Sequence, residues 1–445
     1  MIHRVPARAK LAIALLAAIA LAACLSACGT SLRHPESDDA SADVDAAAPG
    51  SCPATALEAL GSVAKRVYRE GIVSERVDSA RHMIEGSDAL RSAVEADNAQ
   101  AARAAAKTLI ATGHLTDLRI VRGGKVLIDV GGPALAPVRG TLAASGAAGG
   151  ARAAANATPA AGAKPLASYV TSVWAAGGLI AETSGIAQGA TVIRSASPPA
   201  EGRTFAGAFE LPVGDLPPQG TLTHDGAAYQ FTSYPASAYP DGAPLRVYVL
   251  RAISSIEPTL CGATQDDTTV NALSRIAHLI YDGEAGQRTG KQIRRVQGNR
   301  ALLEAVAHRD AKATRAAVEA LLHQHIVRLR VSAGGRLLSD VGGPYVLAPV
   351  TAPLRLGGRT IGSFVLSIQD DEGYKRLANR LAGLDVLMYM GSRLVKSTIG
   401  YSPGAVPTRG PFSFHGRNYR AYTFSAQAFP SGPLRITVLI PLPYS

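Results

Sequence analysis

HLTDLRIVRGGKVLIDVGGP at residues 114–133 and HIVRLRVSAGGRLLSDVGGP at residues 325–344 are two versions of one pattern, 211 residues apart. Gly123 answers to Gly334, Asp129 to Asp340 and Pro133 to Pro344. Each version alternates apolar and polar residues, meets a Gly-Gly pair, alternates again and stops at Gly-Gly-Pro. That is the pattern of a β-hairpin closed by a tight turn. A second match closes each copy: AAYQFTSYPASAYPDGAPLRVYVL ends at Leu250, and RNYRAYTFSAQAFPSGPLRITVLI spans 417–440. Self-similarity at a fixed period means that one structural unit is used twice.

Outward from the hairpin, the period changes. On the N-terminal side Leu57, Leu60, Val63 and Val67 recur at helical spacing, as do Leu273, Ile276 and Ile280. Further helical patterns carry Leu90, Val94, Leu109 and Ile110 in the first copy, and Leu302, Val306, Leu321 and Leu322 in the second. On the C-terminal side a strand is expected at 168–173, matched by 361–368. A helix is expected over 371–381, and strands over 385–390, 419–425 and 434–440. Helices followed by an antiparallel sheet of about five strands predict an α+β unit, with copies at 52–253 and 261–445. An Ala/Gly-rich stretch at 140–164 reads as a disordered insertion in the first copy, which the second crosses near Leu356-Gly357-Gly358.

The N-terminus reads as a lipoprotein signal peptide, residues 1–28. Arg4, Arg8 and Lys10 precede the apolar run Leu11–Ala20. Two overlapping sites, Leu21-Ala22-Ala23-Cys24 and Leu25-Ser26-Ala27-Cys28, are similar to the lipobox of bacterial lipoproteins. The resemblance implies lipidation and a place on the extracytoplasmic face of a cell membrane; the cysteine count favours Cys28 over Cys24 as the lipidated residue. Residues 29–51 read as a flexible tether, with a reach of roughly 25–30 Å. Removal of Cys24 with the leader and lipidation of Cys28 leave Cys52 and Cys261, either joined as one disulfide or present as two buried thiols.

Composition narrows function. The chain has 445 residues, 47% of them hydrophobic and 18% charged, which predicts a folded body. Loss of three of its charges with the leader takes the net charge from +11 to +8. No basic run is interleaved with aromatic residues, so nucleic acid is not expected as a partner. Ser62-Val63-Ala64-Lys65 matches Ser-x-x-Lys, but no Lys-Thr-Gly follows. His323 and His325 lack a third ligand nearby. Neither an enzyme, a metal site nor a cofactor is expected.

The order of elements resembles the extracellular Cache domains, which are PAS-like sensors. The residues that carry the resemblance are the leading helices, the strand–Gly-Gly–strand ending in Asp-Val-Gly-Gly-Pro, the strand 361–368, and Gln369-Asp370-Asp371-Glu372-Gly373-Tyr374 leading into a helix. It spans nearly all of 52–443 and implies two tandem single units that bind small ligands such as carboxylates or amino acids. With no signalling domain after the second unit, a signal is expected to pass to a separate protein. The second copy is better supplied with polar groups. Tyr345 stands where the first has Ala134, and Gln369, Asp370 and Asp371 stand against Trp174, Ala175 and Ala176. Tyr374, Arg355 and Arg359 complete a candidate ligand set: guanidinium for carboxylate, carboxylate for ammonium. Plainer roles stand beside these: a helix cap for Asp370 or Asp371, a solvated turn for the arginines, and packing for the tyrosines. The expected function is a sensor lipoprotein. The alternative is a structural or protein-interaction lipoprotein of the envelope.

Overall fold

The computed structural model describes residues 44–45, 50–145, 165–198, 201–207, 209–212, 216–282, 287–322, 325–400 and 404–444. They belong to one contact-dense unit. The leader with Cys28, most of the 29–51 tether, most of the 140–164 insertion and His323 lie outside the described residues. Within the tether, Val44–Asp45 form a strand, β1, which pairs antiparallel with residues 221–222.

The first copy opens with helix α1 (Cys52–Arg69) and continues through α2 (Glu75–Glu85), α3 (Asp88–Glu95) and α4 (Ala99–Ala111). Strands β2 (Asp117–Arg122), β3 (Lys125–Val130), β4 (Ala134–Leu135), β5 (Val138–Leu142), β6 (Ala167–Ser172) and β7 (Trp174–Ala175) follow. Helix α5 (Ala176–Ala187) then leads to β8 (Ala190–Ser195), β9 (Thr204–Gly207), β10 (Gln219–His224), β11 (Ala227–Ser237) and β12 (Pro244–Ala252).

The second copy repeats the order: α6 (Gln265–Asp282), α7 (Gln287–Gln297), α8 (Arg300–Ala307) and α9 (Ala311–Leu322). Next come β13 (Arg328–Ala333), β14 (Arg336–Gly342), β15 (Val346–Leu347), β16 (Val350–Leu356), β17 (Arg359–Ser367) and β18 (Gln369–Asp370). Helix α10 (Asp371–Ala382) precedes β19 (Asp385–Met390), β20 (Arg393–Ser397), β21 (Arg409–Phe414), β22 (Arg417–Phe429) and β23 (Gly432–Leu442).

Local chemistry repeats even where residues change. The side chain of Ser87 accepts the N–H of Leu90 at the start of α3, and Asn299 accepts that of Leu302 at the start of α8. Asn98 caps α4 and Asp310 caps α9 in the same way. Both hairpins carry a register shift, at Ile120/Val121 and at Val331/Ser332.

The α+β class holds, but each copy contains a smaller and a larger sheet where a single sheet of about five strands was expected, and in the first copy β4 and β7 pair as a separate two-stranded sheet. The smaller sheets have the orders β3-β2-β6-β5 and β14-β13-β17-β16. The larger are β1-β10-β11-β12-β8-β9 and β18-β15-β22-β23-β19-β20, with β21 on β22. The reason is a break at Gly-Gly-Pro: the chain leaves the small sheet there, and in the second copy β15 and β18 join the large one, while in the first Leu135 makes only an isolated bridge to Ala238. The insertion also begins later than expected, because β5 extends to Leu142.

The copies are fused. One face of α1 supplies Leu57, Ala64 and Val67 to the core under its own large sheet. Its other face supplies Ala59, Leu60 and Val63 to a core shared with Leu273, Ile276, Ala378, Val386 and Ile436 of the second copy. Each Leu, Ile or Val side chain among them contributes about 1.5–3 kcal/mol on burial. Cys52 and Cys261 form a disulfide, with a Cα–Cα distance of 5.4 Å, at the N-terminal ends of α1 and α6. The disulfide alternative is the one observed. No helix among the described residues is long and apolar enough to cross a membrane.

Candidate functional site

The Asp-Val-Gly-Gly-Pro motif holds the two sheets of each copy together. Arg119 lies opposite Asp129 across β2 and β3, and Arg330 lies opposite Asp340 across β13 and β14. The Arg119 Nε donates to Asp129 at 2.9 Å, and the Arg330 Nε to Asp340 at 2.9 Å. An aromatic residue reaches this pair from the turn after β11 in the first copy and from the end of β22 in the second. Tyr239 donates to Asp129 at 3.4 Å, and the Phe429 ring lies under Arg330, 4.5 Å from its centroid. Gly131 and Gly342 take φ of +137° and +136° at the exit, where a Cβ would strike Asp117 or the Val327 carbonyl. The motif's side chains are therefore spent on one another.

The copies differ beside the pair. In the first, Asp117 is 1% exposed and its Oδ1 has no partner. Burial raises its pKa, against hydrogen bonds from Thr116 and Gly132. In the second, Arg328 takes the place of Asp117 and donates to Asp340 at 2.8 Å. Burial opposes ionisation of Asp340, but Arg328 and Arg330 outweigh it and hold the carboxyl below its ordinary range.

The expected ligand residues separate into three groups. Tyr345, Gln369, Asp370 and Asp371 come together at the head of α10. The backbone there follows the same path in both copies, apart from one residue added in the second. Ser172 Oγ donates to the Leu135 and Trp174 carbonyls, and Ser367 Oγ to those of Leu347 and Gln369. Val346 pairs with Asp370 where Ala134 pairs with Ala175, so Tyr345 is one extra residue at φ +53°, not the counterpart of Ala134. Its carbonyl accepts the Asp371 N–H at 3.1 Å, and its hydroxyl accepts Arg393 Nη2 at 2.8 Å.

Gln369 occupies the register position of Trp174. In the first copy the indole fills this place and donates to the Val67 carbonyl at 3.2 Å. In the second copy a shorter amide stands there, 4% exposed, with neither Oε1 nor Nε2 partnered by protein. Asp371 beside it is buried, which raises its pKa, while Lys396 Nζ at 3.7 Å pulls the other way. Lys396 also meets Glu372 at 3.2 Å. Asp370 is the helix cap, accepting the Gly373 N–H at 2.7 Å.

The remaining three lie elsewhere. Arg355 and Arg359 are exposed on the small sheet, at the tip of the β16–β17 hairpin. Tyr374 is 0% exposed and donates to the Ala277 carbonyl at 3.0 Å, fixing α10 to α6. Sequence reasoning missed Arg393 and Lys396, which reach the site from β20. Of the other motifs, Lys65 is exposed on α1 and His325 is exposed at φ +70°. Among the described residues no cluster of His, Cys, Asp and Glu could hold a metal.

No family model and no curated protein matches the chain. Two solved structures show similarity. One is the periplasmic domain of Vibrio cholerae LuxQ, 12% identical, covering 37% of this chain and 98% of that domain, with a TM-score of 0.27. The other is an extracellular ligand binding receptor from Desulfohalobium retbaense, 13% identical, covering 51% of this chain and 46% of that one, with a TM-score of 0.22.

Proposed function

We propose that the chain is an extracytoplasmic sensor lipoprotein, tethered through Cys28, whose second copy binds a small polar ligand at the head of α10 and acts through a separate partner. The observation that carries this reading is Gln369. A buried amide with both ends unpartnered costs roughly 1–3 kcal/mol for each missing hydrogen bond. A ligand that offers one donor and one acceptor recovers that cost, as an amino acid or a carboxylate with a neighbouring hydroxyl or amine does. Asp371, Lys396 and Arg393 supply charge of both signs around it.

A second reading is favoured by Asp370 and Tyr374, whose polar atoms already serve the fold. On that reading the chain is a structural or interaction lipoprotein. Thermal melting of the purified protein against amino acids and organic acids separates the two. The sensor reading predicts a ligand that raises Tm in the wild type and not in Gln369→Leu, whose own ligand-free Tm is unchanged or higher. Silence across the panel favours the second reading.

A further inference from the structure

A cleft of about 340 Å³ opens between α6, β21 and the middle of β22. It is separate from the head of α10. Asn271, Ser274, Arg275 and His278 line it from the helix, and Arg409 and Tyr422 from the sheet. These six residues include two guanidiniums and no carboxylate. Ser274 is 4% exposed, and its hydroxyl has no partner. Arg275 gives its two Nη groups to Glu257 and Gln188, which leaves a buried, unpartnered Nε. Arg409 gives Nη2 to Asn271 at 2.6 Å and lies over the Tyr422 ring. His278 Nε2 stands 3.2 Å from the Tyr422 hydroxyl. Behind the wall, Arg251 is buried with Nε and Nη1 unpartnered.

The first copy shows what closes this space. Helices α1 and α6 have 18 residues each, and overlaid end to end they place Gly61 on Ser274 and Lys65 on His278. The strand registers place Gln219 on Arg409 and Thr232 on Tyr422. The same overlay matches a shared hydrogen bond, Ser237 N–H to Tyr68 Oη and Gln427 N–H to Tyr281 Oη, both 2.9 Å. At Gly61 the helix comes so near the sheet that a Cβ would sit 2.3 Å from Thr232 Cγ2. Serine and tyrosine at those two places hold α6 away from β22. The substitutions that open the cleft are also the ones that line it with donors.

We propose that this cleft binds a phosphate group. Its donors come from different elements and directions, which suits a tetrahedral oxyanion. Both Nη groups of Arg275 are already engaged, by Glu257 and Gln188, so it does not present the open Nη1–Nη2 fork that a planar carboxylate favours. The group can belong to a soluble phosphate or to a lipid headgroup, since Leu260 at the rim precedes the Cys261–Cys52 bridge, where the chain arrives from the tether.

Titration of the purified protein with inorganic phosphate tests the soluble source. Sedimentation with phosphatidylglycerol vesicles, against phosphatidylcholine, tests the headgroup. We expect saturable binding in at least one arm, about tenfold weaker in Ser274→Ala and weaker still in the exposed-site variant Arg409→Gln. Gln369→Leu should bind as the wild type does, which keeps this site distinct from the one at α10. No binding in either arm overturns the proposal. So does binding that both cleft variants leave unchanged, or a preference for acetate over phosphate.

Discussion

Asp340 sits between two guanidiniums at 2.8 and 2.7 Å, while Asp117, which stands in the first copy where Arg328 stands in the second, is buried with an unpartnered oxygen. Their contributions to stability have opposite signs. The folded pKa of Asp340 is depressed. Its stabilisation is therefore complete above the unfolded value of about 3.9 and is lost as pH falls through the folded value. The folded pKa of Asp117 is raised. Its penalty is present above the folded value and is relieved as pH falls toward about 3.9. In urea melts at pH 7, Asp340→Asn should lose about 3 kcal/mol, because two part-buried arginines lose their counter-charge. Asp117→Asn should gain stability at pH 7, and the gain should shrink in mild acid. Equal losses in both variants would refute the assignment. The motif itself was plain in the sequence. Its structural role was not, because the aromatic residues that meet the Arg–Asp pairs, Tyr239 and Phe429, come from about a hundred residues away.

At the level of elements, α1 is pressed onto β11 at a single glycine. Gly61→Ala would ordinarily improve a helix by about 1 kcal/mol. Here the methyl meets the stiff β-branched Thr232, and such overpacking costs about 1–3 kcal/mol. A net loss is expected, and Gly61→Ala/Thr232→Ser should recover it. Recovery failing in thermal melts would mean that the close approach is not the constraint. Most helices and the paired hairpins could be read from periodicity. The short strands β9, β10, β20 and β21 could not, because β9 has only four residues and the others carry glycine, proline or charge inside five or six, which gives little alternation. The division into a small and a large sheet was missed as well, because the break at Gly-Gly-Pro reads only as the end of a strand. Gln369 and Asp371 stood out as polar residues facing Trp174 and Ala176. The cleft on α6 left its own signal, Gly61 against Ser274 and Lys65 against His278, which appears only when the two long helices are overlaid.

For the whole molecule, the shared core makes the copies interdependent. The 261–445 segment alone would lose Ala59, Leu60 and Val63 from its core. It should be unfolded or aggregated, and a cooperative melt of that segment would contradict the fused architecture. The disulfide spans 209 residues of sequence. Its removal by Cys52→Ser/Cys261→Ser should cost about 2–5 kcal/mol with the fold retained. Within this frame the first copy fills its corresponding places with Trp174 and with Gly61 on Thr232, and the second fills neither. The division of labour that follows, a first copy that supports and a second that binds, is the central claim. The most direct test is thermal melting of the purified protein against amino acids and organic acids, in the wild type, in Gln369→Leu and in Gln369→Trp. A ligand at 100 times its Kd stabilises by about 2.7 kcal/mol, a rise in Tm of a few degrees. The account predicts such a rise in the wild type and none in either variant. A rise that survives Gln369→Trp would contradict it.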